Sequence, residues 1–258
     1  MKKNLLIWIA LLAPLLGLGL FAFSRSWFYP DPFPVEWTGQ AFSRLLSDSR
    51  TLKAILDSLL LAFIVSLLSL IIGYPAARAI GTRDFPAKKY VWLAIFLPTV
   101  VPPLAIGMGL SILALQTGLA GTRLGVILAH IVPTLPYTVF TLAGVFERYD
   151  ENFEYQALAL GANPARIFFT VTLRLLAPGL AVAGLFAFLI SWSQYLLTLL
   201  VGGGRVLTLP VLLFSAVSGG NPTTISALSL LFLAPPVLII AATARFLGEN
   251  PNSVHEPI

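Results

Sequence analysis

Residues 154–178 read EYQALALGANPARIFFTVTLRLLAP, and the parsing of this stretch decides the fold. Leu158 and Leu160 close an apolar-rich segment, and Gly161 is free to take the left-handed conformation that ends a helix. Two residues on, Asn163 is placed to accept backbone N–H groups as an N-cap, and Pro164 is preset for a first helical position. Ile167, Phe168, Val171 and Leu175 then recur at helical spacing. The stretch reads as a helix–turn–helix elbow, outside the lipid yet with an apolar face that another surface could hold.

Around the elbow the apolar residues come in long blocks. Of 258 residues, 57% are hydrophobic and 10% charged, a composition that excludes a soluble domain. A membrane span needs roughly 20 residues, and six blocks qualify: 5–23, 54–80, 90–115, 124–146, 175–201 and 224–246. The first follows Lys2 and Lys3 and is read as a retained span, with a signal peptide as its rival. The expected fold is all-α and polytopic. It is a single transmembrane domain over 1–258, with six helices and residues 148–174 as a cytoplasmic helix–turn–helix loop. Pro102-Pro103 and the pair Pro133 and Pro136 are expected to break or bend the third and fourth spans. Residues 191–195, SWSQY, interrupt the fifth with polar groups.

Ten Lys and Arg fall on the side of the N-terminus and six on the other, a bias that puts the elbow and both termini in the cytoplasm. The net charge of +5 and pI near 9.7 are spread over short loops, so nucleic acid is not an expected partner. Without cysteine there is no disulfide, thiolate metal site or cysteine nucleophile. The chain carries no H-E-x-x-H, no paired carboxylates and no G-x-S-x-G, so no catalytic or metal-binding residues are assigned. It also lacks a G-x-x-x-x-G-K-[ST] loop with which to hold ATP. Away from their ends the spans hold no Asp, Glu or Lys, the groups an ion-coupled carrier would use. Free energy for uphill transport would have to enter from another subunit.

His130 is the ionisable side chain well inside a span. It either hydrogen-bonds neighbouring helices or lines a passage. Gln116, Tyr137, Ser191, Ser193 and Gln194 are further polar groups at or near depth, open to the same two roles.

The pattern Ala157…Gly161-Ala162-Asn163-Pro164…Val171-Thr172-Leu173…Pro178 resembles the cytoplasmic EAA loop of ATP-binding-cassette (ABC) importer permeases. The resemblance implies a coupling helix seated in a cleft of a separate ATPase. Its docking residues would be Glu154, Tyr155, Gln156, Ala157, Gly161, Ala162, Asn163, Pro164 and Arg166. Two positions depart from the family pattern. The motif's Glu and first Ala fall on Tyr155 and Gln156, with Glu154 one residue early, and Arg174 stands where proline is usual. From the second span through Pro210 the chain is similar to permeases of the polyamine, iron(III), thiamine and sulfate-type importers. That likeness implies a non-catalytic, cofactor-free subunit of a bacterial inner membrane. Its implied partners are a second permease, two cytoplasmic ATPase subunits and an extracytoplasmic solute-binding protein. An ion-coupled secondary carrier and a membrane enzyme or assembly protein are the alternatives. The residues do not choose among polyamine, thiamine, iron and oxyanion as the solute.

Overall fold

A computed structural model describes residues 13–25, 27 and 31–248. The first expected span is therefore described from Ala13 only, as helix α1 (Ala13–Ala22); its earlier part and the C-terminal residues from 249 lie outside the described residues. A single β-bridge between Ser24 and Trp37 closes the loop that follows. A short helix α2 (Gln40–Ser47) then leads into α3 (Ser49–Thr82). Asp48 starts α3 as its N-cap, accepting from the Arg50 and Thr51 N–H groups.

The framework is three helices packed on one another: α3, α6 (Arg123–Phe146) and α9 (Leu173–Trp192). At 1.5 Å per residue the 34 residues of α3 extend about 51 Å, longer than the ~30 Å hydrocarbon layer. Short ion pairs stand towards either end of α3. Asp57 meets Arg123 at 2.7 Å near one end, and Arg78 meets Glu154 at 2.8 Å near the other. The 21-residue interval between Asp57 and Arg78 is about 32 Å along the axis, a length that matches the hydrocarbon layer. Ser69, Gly73, Ala77 and Gly81 follow each other every fourth residue along the α6-facing side of α3. Small residues at this spacing let two membrane helices approach at backbone distance. A Cβ added at Gly81 would stand 2.5 Å from Phe146 Cβ and 2.7 Å from the Ala143 carbonyl.

Helices α4 (Lys88–Val100) and α5 (Pro103–Gln116) meet at a 97° bend, the break expected from Pro102-Pro103. In the fourth span the chain does not break. Helix α6 runs unbroken through Pro133 and Pro136. Enclosure separates the two cases: half of the apolar stretch of α6 is buried between α3, α9 and α10, whereas α4 buries no residue. Helix α4 touches α6 along one side, where Trp92 and Phe96 meet Phe140 edge-on.

The fifth span starts earlier than its hydropathy suggests. Helix α8 (Pro164–Ile167), a π-turn (Phe168–Thr172) and α9 form one continuous run, Pro164–Trp192. After an interruption at 193–195 the chain resumes as α10 (Leu196–Gly202) and α11 (Leu209–Ser218). The last span is α12 (Pro222–Gly248). Its Pro236 has no N–H to give the Phe232 carbonyl. Trp192 takes up that acceptor from α9, its Nε1 donating at 3.1 Å. Among the described residues four helices are long and apolar enough to cross a membrane, and the bent α4–α5 pair makes up to five.

Candidate functional site

The elbow is built from α7 (Asn152–Ala159), a turn and α8. Gly161 takes φ +84°, and nothing stands within 4 Å of where its Cβ would be. The position requires glycine for its backbone rather than for space. Around it the Gly161 and Ala162 N–H groups donate back to the Leu158 and Ala157 carbonyls, at 2.9 and 3.1 Å. The Asn163 side chain accepts from the Arg166 N–H at 2.8 Å and opens α8, with Pro164 at its first position. The turn is thus fixed at both ends. Its outer surface is apolar: Phe153, Tyr155, Leu158 and Leu160 are exposed, Leu160 by 88%. Gln156, Pro164 and Arg166 are exposed beside them, and Ala157 and Ala162 are half-buried.

Glu154 faces the other way. Its side chain is 16% exposed, and three donors converge on the carboxylate. Arg78 Nη2 reaches Oε2 at 2.8 Å, while Tyr149 Oη and Thr172 Oγ1 both reach Oε1 at 2.8 Å. Glu151 adds a longer contact to Arg78 at 3.4 Å. Beneath this cluster, Tyr74 lies edge-on to Phe146 and Phe168, and Phe146 edge-on to Tyr149. Burial opposes ionisation of Glu154, but the bonds from Arg78, Thr172 and Tyr149 outweigh it and hold the carboxyl below its ordinary value. Burial, reinforced by that carboxylate and opposed by Thr172, pushes the Tyr149 phenol up to about 12. Tyr155, at the position where the resemblance expects the motif glutamate, is 60% exposed.

A second polar group lies deep in the framework. His130 is 1% exposed; its Nδ1 is 3.0 Å from Ser191 Oγ at the end of α9, and its Nε2 is 2.9 Å from Thr198 Oγ1 in α10. The Thr198 hydroxyl gives its proton to the Gln194 carbonyl at 2.8 Å. His130 Nε2–H therefore donates to Thr198, and Nδ1 accepts from Ser191. One imidazole thus spans the interruption at 193–195. A turn further along α6, Ser69 donates to Thr134, whose own proton goes to the His130 carbonyl.

Of the residues singled out for the pathway, the structure brings His130 and Ser191 together. It adds Thr198, which sequence reasoning missed although it lies two helical turns beyond Ser191. Gln194 is half-buried at the interruption, with Ser193 exposed beside it. Gln116 is exposed at the end of α5, and Tyr137 is exposed on α6. A polar cavity of about 470 Å³ opens between α2 and the start of α12. Arg25, Arg44, Asp48 and Asn221 on its walls are engaged by Glu36, Gln40 and the starts of α3 and α12. No group of three or more His, Cys, Asp or Glu able to hold a metal occurs among the described residues.

Residues 69–248, which include the elbow, the carboxylate cluster and the His130 junction, match the family model described as "Binding-protein-dependent transport system inner membrane component". The chain belongs to this family. It is an inner-membrane permease component of an ABC importer, a non-catalytic membrane subunit. The permease is 29% identical over 235 residues to the putrescine transport system permease PotI of Escherichia coli, covering 86% of this chain and 81% of the relative. It is 28% identical over 191 residues to the trehalose transport system permease SugB of Mycobacterium tuberculosis, covering 72% and 70% of the two chains. Its fold matches the crystal structure of a bacterial ABC transporter involved in the import of the acidic polysaccharide alginate. The TM-score is 0.73 at 16% identity, over 95% of this permease and 94% of that chain.

Proposed function

We propose that this permease forms half of a translocation pathway for a small polar solute. A second permease, identical or homologous, would supply the other half, two cytoplasmic ATPase subunits the energy, and an extracytoplasmic solute-binding protein the cargo. Residues 148–174 are the cytoplasmic loop on which an ATPase seats, and both termini lie on that side. Tyr155, Gln156, Ala157, Gly161, Ala162, Asn163, Pro164 and Arg166 form the seat, with Glu154 behind them. The observation that carries the reading is an apolar surface left uncovered by the described residues, presented on a turn whose geometry Gly161 and Asn163 fix. Gln116, Tyr137, Ser193 and Gln194 border the passage, and His130 with Ser191 stands behind it. Relatives named for putrescine, trehalose and 2-aminoethylphosphonate transport support a polar solute without choosing its charge.

The test is co-purification of the tagged permease from its own host's membranes. Gly161→Asp forces a side chain into a left-handed backbone, costing roughly 1–2 kcal/mol at the turn, and places a charge in the apolar seat. The variant is expected to insert in the membrane at normal abundance and to lose the ATPase. Recovery of the ATPase at the unmodified level would remove the elbow from the coupling path. A permease that comes down alone and moves solute without ATP would instead support an ion-coupled carrier.

A further inference from the structure

We infer that Glu154 is the point through which motion of the elbow enters the membrane helices, a positioning residue for coupling and not part of the docking surface. The inference rests on the proposed seating of an ATPase on the elbow and goes beyond it. Helix α7 buries no residue, so packing alone does not tie it to the framework. Its firm attachment is one carboxylate, and the three donors come from three places: Arg78 from the last turns of α3, Tyr149 from the segment leaving α6, and Thr172 from the root of α9. Each donor lies in, or directly adjoins, one of the three helices that pack on one another as the framework. The second acidic contact, Glu151 to Arg78, is longer at 3.4 Å and about one-third exposed on both partners, and weak for that reason.

The lever geometry is explicit. Glu154 lies in the first turn of α7, and Leu160, the most exposed apolar side chain of the elbow, lies six residues on, about 9 Å further along the helix. A push at the outer end is resisted at the inner end by bonds to α3, to the segment leaving α6 and to the turn entering α9 at once. The Thr172 bond lies inside the π-turn at the root of α9. That turn is the irregular segment of the 164–192 run, and such turns accommodate local change of helix register. Displacement of Glu154 therefore acts on α9 where it is most able to yield.

The experiment uses the complex purified through the tagged permease and needs no knowledge of the solute. Vanadate-sensitive hydrolysis of MgATP is measured per mole of bound ATPase for Glu154→Gln, Tyr149→Phe and Thr172→Val. In Glu154→Gln the ATPase is expected at wild-type stoichiometry, with a hydrolysis rate per ATPase changed threefold or more. Tyr149→Phe and Thr172→Val each remove one donor without altering the elbow's outer surface, and are expected to shift the rate in the same direction by less. A purely structural role would lower the yield of folded permease while leaving the rate per bound ATPase unchanged, and that result overturns the inference. Loss of the ATPase from Glu154→Gln also overturns it, by making Glu154 part of the seat. Failure to recover any ATPase with the unmodified permease would instead defeat the functional reading beneath it.

Discussion

Removing the His130 side chain should weaken the permease by an amount that the junction geometry sets. The imidazole is almost fully buried and makes two side-chain hydrogen bonds, to Ser191 and Thr198. Interhelical hydrogen bonds in membrane proteins average ~0.6 kcal/mol and reach ~1.7, so the two together contribute about 1–3 kcal/mol. Truncation to alanine also leaves a cavity among α6, α9 and α10, for which large-to-small core changes suggest a further ~2–4 kcal/mol. Thr198→Val, nearly isosteric, leaves the buried Nε2–H without an acceptor, at about 1–3 kcal/mol. The discriminating quantity is the coupling between the two changes. In reversible unfolding titrations in mixed micelles, the double variant should be less destabilised than the sum of the single ones by about 0.6–1.7 kcal/mol. A coupling energy indistinguishable from zero would refute the assignment of His130 as the staple across residues 193–195. The chain has no cysteine, so paired cysteines on either side of that interruption can follow its geometry on an unmodified background.

Two further outcomes are expected. Gly81→Ala should cost about 1–3 kcal/mol, because its methyl would meet Phe146 Cβ and the Ala143 carbonyl well inside contact distance. Gly73→Ala, whose nearest neighbour is a Thr138 methyl at 3.1 Å, should cost less, and thermal melting in detergent ranks the two. Glu154 titrates below its ordinary value against the opposing effect of burial. Its contribution is complete above the ordinary glutamate value near ~4.3 and is lost as pH falls through the lower folded-state value. The melting temperature should therefore decline more steeply on acidification in the unmodified permease than in Glu154→Gln, and parallel acid limbs would contradict the bonding described.

Much of this was legible in the chain because the governing interactions are local. Gly161, Asn163 and Pro164 announce the elbow's turn through backbone preferences that need no partner, and Pro102-Pro103 announces the break between α4 and α5. Pro133 and Pro136 look equally disruptive in sequence, yet α6 continues through both, enclosed by three neighbouring elements. That enclosure is a property of the assembled fold. The orientation of Glu154 was hidden for a similar reason: Arg78 is 76 residues away, and no local pattern shows that the two will meet. Thr198 escaped notice because the interruption at 193–195 obscures its relation to Ser191. The small-residue stripe Ser69, Gly73, Ala77, Gly81 was available at a spacing of four, and it foretells the most extensive helix–helix contact among the described residues.

That stripe divides the permease into a frame and its adjustable parts. Where α3 meets α6 at Gly81 even one added methyl group lacks room, and at Gly73 it fits only if Thr138 gives way, so rotation of either helix about its axis drives larger side chains into its partner. Shape change is left to the existing discontinuities: the 97° corner before Pro103, the gap at 193–195 and the π-turn at 168–172. An architecture of this kind lets the helices around a passage be refitted to a different cargo while the pair that carries the load keeps its geometry.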